Sequence, residues 1–174
     1  MSTLGVVLAG VAAGASSTIE RYIARGYDVR VADVGQAADV DHALEAVRSA
    51  MAGLTTGKVA VVGYGAGGRY AFLAVTRLGA DAAAVFHGTG IGAHLDESAR
   101  AKKPLTFHFG DADERVTFEE VRAIKGALEG FGTTEIYRYP GVRHGFALLD
   151  DPNYDEAAAL AAERRVFAVL DGLG

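Results

Sequence analysis

Short apolar runs alternate along the chain with longer segments in which apolar residues return every three or four positions. The runs at 4–10 (LGVVLAG), 27–34 (YDVRVADV), 58–63, 82–87, 104–109 and 134–139 have the length of strands, and their Val and Ala content predicts burial on both faces. The first helical segment opens at Ser16, Ser17 or Thr18 as cap, turns Ile19, Tyr22 and Ile23 inward and stops at Gly26. The second starts near Asp39, with Val40, Ala43, Leu44, Val47 and Met51 at helical spacing. A third covers 67–78, and a fourth is opened by Thr117, which with Glu120 makes a capping box. A closing helix over 153–172 directs Leu160, Val166, Phe167 and Leu170 inward, and residues 88–103 read as a long loop. Each crossover is long enough for a parallel connection. The pattern predicts an α/β fold: a three-layer α/β/α sandwich whose doubly wound parallel sheet has about six strands.

Composition narrows the function. A chain of 174 residues with 50% hydrophobic content suits one domain spanning 1–174, with no linker, repeat or low-complexity tract. The net charge of −5, with no basic cluster longer than Lys102 and Lys103, argues against nucleic acid as a partner. The absence of cysteine removes disulfides, thiolate metal sites and a cysteine nucleophile. LGVVLAGVAAGA followed by Ser16 and Ser17 looks superficially like a signal-peptide core, but no Lys or Arg precedes it. It reads instead as a core strand and a loop. No apolar run reaches the roughly 18 residues of a membrane span, so a soluble cytoplasmic protein without a membrane partner is expected.

The most informative stretch is VAVVGYGAGG at 59–68, a strand that breaks into glycines before a helix. Gly63, Gly65 and Gly68 satisfy G-x-G-x-x-G, the spacing of a nucleotide cradle at a helix N-terminus. Such a site also wants an acidic residue about 20 positions on, where this chain has Phe86, His87 and Gly88. The alternative is a nucleophile elbow, small-x-nucleophile-x-small, held by Gly63, Gly65 and Gly67. Acid and base candidates follow in the order an elbow requires: Asp113 in GDAD after one strand, His144 in RHGF after the next. His42, His87 and His94 have no metal-ligand spacing, and Asp111 and Asp113 near His108 read as a turn, so no metal or other cofactor is expected. His87 stands at a strand end on the rim of the crevice, a candidate ligand contact.

VAVVGYGAGGRYAFLA, FHGTGIGAHLDE, PLTFHFGDADERVT and YPGVRHGFALLDDPNYDEAAALAAER together resemble the dienelactone hydrolases of the α/β-hydrolase superfamily over most of the length. The resemblance implies a truncated α/β-hydrolase fold with strand order second, first, third, fourth, fifth, sixth, and a crevice beside strands one and three. It implies that Asp113 is the acid, His144 the base, Gly65 the residue at the nucleophile position, and the Val11 and Ala66 amides an oxyanion hole. The family's elbow reads G-x-C-x-G, and glycine offers no attacking atom. Ser2, Ser16, Ser17, Ser49 and Ser98 all lie outside any small-x-Ser-x-small turn.

Other departures from the family accompany that glycine. Its first-loop His-Glu pair corresponds to Ala9 and Gly10, the loop after the second strand shrinks to 35–38, and its substrate-holding arginine corresponds to Leu148. The strands that usually precede the first are not expected within these residues. Three readings follow. The first is a protein of ester or lactone hydrolase ancestry that lacks the nucleophile and is catalytically impaired, or acts in binding or assembly. The second is a weak hydrolase using a water activated by His144, and the third is a nucleotide-binding module on Gly63, Gly65 and Gly68. The expected partner is a small-molecule ester or lactone, and a homo-oligomer stays open.

Overall fold

A computed structural model describes residues 3–12, 14–35 and 39–174. Ser2 and residues 36–38 of the shortened loop lie outside the described residues. The elements run β1 (Gly5–Ala9), α1 (Ser16–Ala24), β2 (Asp28–Ala32), α2 (Val40–Ala52), β3 (Val59–Tyr64), α3 (Gly67–Leu73), β4 (Ala82–Phe86), β5 (Leu105–Gly110), α4 (Phe118–Leu128), β6 (Thr134–Tyr139) and α5 (Glu156–Asp171). The six strands form one parallel sheet in the order β2-β1-β3-β4-β5-β6. That is the expected three-layer α/β architecture and the expected strand order.

Both faces of the sheet are covered, which is why its central strands are apolar without alternation. Val7, Ala9, Val61 and Phe107 face a core built with α2, α3 and α4. Val6, Leu8, Val62 and Phe86 face a second core built with α1 and α5. The second face carries a ladder of rings one residue wide. Parallel register sets Tyr64, Phe86, His108 and Tyr137 side by side, with centroids 4.8, 5.1 and 5.2 Å apart. Arg21 on α1 pairs with Glu163 on α5 at 2.6 Å, closing this layer over the sheet.

The structure corrects several local expectations. The residue that precedes α1 is Ala15 with no side-chain cap, so Ser16, Ser17 and Thr18 stand inside the first turn. Ile23 is 54% exposed and Leu160 39%, because Tyr22 and Thr18 on α1, and Ala159, Ala162, Val166 and Leu170 on α5, already fill the stripes that meet the sheet. The stretch expected as loop after β4 contains a 3-10 helical segment, Ile91–Arg100, tied to the preceding helix by Arg77 and Thr76 on Glu97. The third helix is α-helical only to Leu73 and continues as π-helical turns over Ala74–Leu78. Thr117 Oγ1 accepts from Glu120 N at 3.2 Å, while the reciprocal half of the capping box is absent among the described residues. The last helix begins at Glu156, capped by Asp155 accepting from Ala158 N at 2.9 Å. Among the described residues no helix is long and apolar enough to cross a membrane.

Candidate active site

Strand order reverses beside β1, whose neighbours β2 and β3 lie on opposite sides, and α/β sheets collect ligands at the carboxyl ends of strands at such a point. A cavity of about 520 Å³ opens there. Its lining includes Gly10 and Val11 after β1, Gly65 and Ala66 after β3, His87 after β4 and His144 beyond β6.

Gly65 holds the turn from β3 into α3. Its φ of +53° is a left-handed conformation that glycine adopts without strain. The turn is bonded on both sides: Gly65 N donates to Phe86 O at 3.1 Å, and Gly65 O accepts from Gly68 N and Thr89 N at 3.0 Å each. A Cβ built on Gly65 would stand 3.7 Å from His144 Nε2 and 3.9 Å from His87 Nδ1, both ordinary contacts. A side chain there would therefore point between two imidazoles.

The neighbouring glycines have a different origin. A Cβ on Gly63 would run into the Gly67 and Gly68 backbone, one on Gly67 into Ala9 and Gly10, and one on Gly68 into Gly88 and Val85. They let α3 press its first turn against β1 and β4. Of Gly63, Gly65 and Gly68 only Gly65 lines the cavity, so this G-x-G-x-x-G spacing comes from close packing rather than from a phosphate cradle.

Asp113 and His144 stand 31 positions apart in sequence and meet because β5 and β6 are adjacent. His144 Nδ1 lies 2.8 Å from Asp113 Oδ2. Asp113 Oδ1 accepts from Arg115 N at 2.8 Å and from Val116 N at 3.1 Å. Burial pushes the Asp113 carboxyl up, but the His144 hydrogen bond and the two amides outweigh it and hold the group below the usual carboxylate range. With Nδ1 engaged, His144 turns Nε2 toward Gly65. Val11 and Ala66 flank the same space, and among the described residues neither N–H has a backbone partner.

His87 is on the floor of the cavity, not its rim. It is 1% exposed and is the only non-glycine residue with positive φ, +41°, among the described residues. Neither ring nitrogen has a hydrogen-bond partner among the described residues. Its ring meets His144 edge-on at 4.8 Å and Phe146 at 5.7 Å. Burial, then the charge His144 can carry, lowers its pKa to about 3, so it is neutral at ordinary pH. The composition of the sequence carried no signal for this, apart from a polar residue at the end of a run of Ala, Val and Phe.

The mouth of the cavity was also illegible in the sequence. Among the described residues Asp33, Glu114 and Asp151 line it with a single cation, Arg115, and Leu148 is on its wall. Ser16, Ser17, Ser49 and Ser98 are not among the lining residues, and Ser98 Oγ instead donates to Leu95 O at 2.7 Å. Tyr64 lines the cavity, but burial pushes its phenol well up, and its hydroxyl is engaged with Tyr22 at 2.9 Å. His42 is exposed on α2, His94 is in the 3-10 segment, and Asp111 Oδ1 accepts from Gly141 N, as a turn residue does. No cluster of three metal-ligating side chains exists among the described residues.

Comparison with known proteins gives the family. The family model described as "Dienelactone hydrolase family" matches residues 8–173. Carboxymethylenebutenolidase 1 of Cupriavidus pinatubonensis is 37% identical over 119 residues, covering 67% of this chain and 49% of that protein. The carboxymethylenebutenolidase of Pseudomonas putida is 35% identical over 116 residues, covering 64% and 48%. The chain thus spans about half the length of these curated relatives. In fold it is similar to an esterase from Pyrococcus furiosus, with TM-score 0.76, 16% identity, and coverage of 98% of this chain and 80% of that one. The dyad beside a glycine elbow, the strand order and the match over nearly the whole chain lead to one conclusion: this chain belongs to the dienelactone hydrolase family.

Proposed function

We propose that the cavity binds an uncharged ester or lactone, that Gly65 leaves it without the family's covalent nucleophile, and that hydrolysis, where it occurs, is slow and uses water activated by His144. The observation that carries this reading is the geometry at Gly65: an elbow turn aimed at His144 Nε2, 3.7 Å from the Cβ position, with no Ser, Thr or Cys lining the cavity among the described residues. A water above Gly65 gives a proton to His144 Nε2 as its oxygen bonds to the acyl carbon. The carbonyl oxygen takes up negative charge facing the Val11 and Ala66 N–H groups. As the tetrahedral species collapses, the ester C–O bond breaks and the leaving oxygen receives the proton from His144. Asp113 fixes the His144 tautomer and stabilises the transient imidazolium, as acids of such triads do.

Magnitudes set the expected rate. Removing the nucleophile of a triad costs on the order of a million-fold, and what remains is roughly a thousand- to ten-thousand-fold over water. An uncharged ligand is favoured over an anion because, among the described residues, three carboxylates and one guanidinium line the mouth, with Leu148 on its wall. A second reading, binding without turnover, is supported by the structural work of Asp113. Its carboxylate joins the turn after β5 to the turn after β6 through His144, Arg115 and Val116, whether or not a proton ever moves. The test is hydrolysis of p-nitrophenyl acetate by wild type and His144→Ala. Equal rates would leave only the binding reading; a loss of about a hundredfold supports water activation.

A further inference from the structure

His87 is the residue the proposed hydrolysis leaves unexplained. The fold holds a non-glycine residue in left-handed conformation at the end of β4, buries it, and gives neither ring nitrogen a partner among the described residues. Buried polar atoms without partners are uncommon and cluster where a ligand or water supplies the bond. Nδ1 of His87 and Nε2 of His144 flank one point, 3.9 and 3.7 Å from the Cβ position of Gly65. A water needs two to four polar partners to be held. His144 alone supplies one.

We propose that His87 and His144 form an imidazole clamp on a single oxygen above Gly65, with His87 Nδ1 accepting the second hydrogen bond of the water that His144 deprotonates. The inference rests on the water-mediated reading of the site. One O–H of the water points at His144 Nε2 and is the proton transferred. The other points at His87 Nδ1 and stays on oxygen, which turns a lone pair toward the acyl carbon. His87 neither gains nor loses a proton in the cycle. This requires the tautomer with the proton on Nε2, and a His87 that stays neutral while His144 becomes imidazolium 4.8 Å away. Among the described residues the charged and titratable groups that surround the pair are Asp113 on the far side of His144, Tyr64 beside His87, and Asp33, Glu114, Asp151 and Arg115 at the mouth. The clamp also gives Gly65 a role of its own: any larger residue there would occupy the place of the water.

Two measurements test the clamp. In p-nitrophenyl acetate hydrolysis, His87→Phe should lower the His144-dependent kcat by about tenfold or more, with KM within about twofold, as loss of one orienting hydrogen bond would. His87→Asn places an acceptor near the Nδ1 position and should recover the rate to within about threefold of wild type. In a Gly65→Ser background, where the hydroxyl replaces the water in the acylation step, His87→Phe should leave the acylation rate within about twofold. Equal losses for Phe and Asn, or for both backgrounds, would show that His87 only holds the fold and would overturn the clamp.

The second measurement does not depend on turnover. Long-range proton–nitrogen correlation spectra of histidine-labelled protein should show His87 neutral from pH 5 to pH 8 with Nδ1 unprotonated, and the Nδ1 signal should move in Gly65→Ala, whose methyl displaces the water. A proton on Nδ1, or a signal unmoved by Gly65→Ala, overturns the proposal. An inactive wild type whose spectra behave as expected would remove the hydrolytic reading and support the clamp as a binding device.

Discussion

The ends of β3 and β4 lie side by side, and both strands end in a left-handed residue, but they solve the turn in opposite ways. At β3 the residue is Gly65, φ +53°, with space for a side chain and none present. At β4 it is His87, φ +41°, buried and carrying two ring nitrogens without partners among the described residues. A left-handed non-glycine residue costs roughly 1–2 kcal/mol, and an unsatisfied buried polar group about 1–3 kcal/mol more. Stability alone would place glycine at both turns. The strain is accepted where an imidazole results, so the difference marks His87, more than Gly65, as the position held for something other than folding.

The contrast between a glycine with room and glycines without it yields the largest effect. Gly67→Ala would place a Cβ 2.7 Å from Gly10 N and closer still to the Ala9 carbonyl, and backbone cannot give way as a flexible side chain can. We expect a loss of about 4 kcal/mol or failure to fold, read by urea denaturation. Gly65→Ser should instead lose only about 1–2 kcal/mol, from its positive φ. It should also gain a covalent step: an acetyl adduct visible by mass spectrometry with p-nitrophenyl acetate, and turnover on the order of a hundredfold above wild type. A Gly65→Ser protein that folds and forms no adduct would show that the dyad and the amides no longer make a working site.

Asp113→Ala should cost about 2–3 kcal/mol in the same denaturation experiment, because it strips His144 Nδ1 and the Arg115 and Val116 amides of their acceptor. The pH dependence is more gradual. His87 and His108 are both held at about 3, in each case first by burial, against the usual value near 6.5 in the unfolded chain. The unfolded chain therefore binds more protons between those values. Stability is complete above about pH 6.5 and falls as the pH drops toward 3, by roughly 1.4 kcal/mol per pH unit for each histidine. Asp113, held below its usual range, adds to the loss at the acid end. His87→Phe should remove one proton's share of that slope, and a slope unchanged by this substitution would contradict the enclosed environment of His87. The smallest effect is expected at the mouth. Leu148→Arg should improve hydrolysis or binding of p-nitrophenyl hemisuccinate relative to the acetate by about tenfold, as one added charge contact would.

The dyad was legible because each member lies just past a strand in a short distinctive segment, GDADERV for Asp113 and RHGFA for His144. A parallel sheet brings consecutive strand ends together without further information. Helix faces were legible only in part. Periodicity placed Tyr22 and Val166 inward correctly, but it could not say how wide a stripe the sheet would cover, and Ile23 and Leu160 fall outside it. The caps followed the same division. Thr117 and Asp155 accept from their helices, whereas Ser16 and Ser17 stand inside the first turn of α1 and do not cap it, because the chain enters that helix through Ala15.

By itself the sequence determined the layers, the strand order implied by the family pattern, and the residue standing at the elbow, since these depend on local apolar patterning and on segments read in order. Only the tertiary structure decided which groups face one another across the strand ends. The β3–β4 register sets Gly65 beside His87, the adjacency of β5 and β6 sets His144 above them, and the packing of α3 against β1 and β4 assigns the remaining glycines to close contact. Such juxtapositions arise from hydrogen-bond register and steric fit between segments far apart in the chain, and no local pattern of residues encodes them.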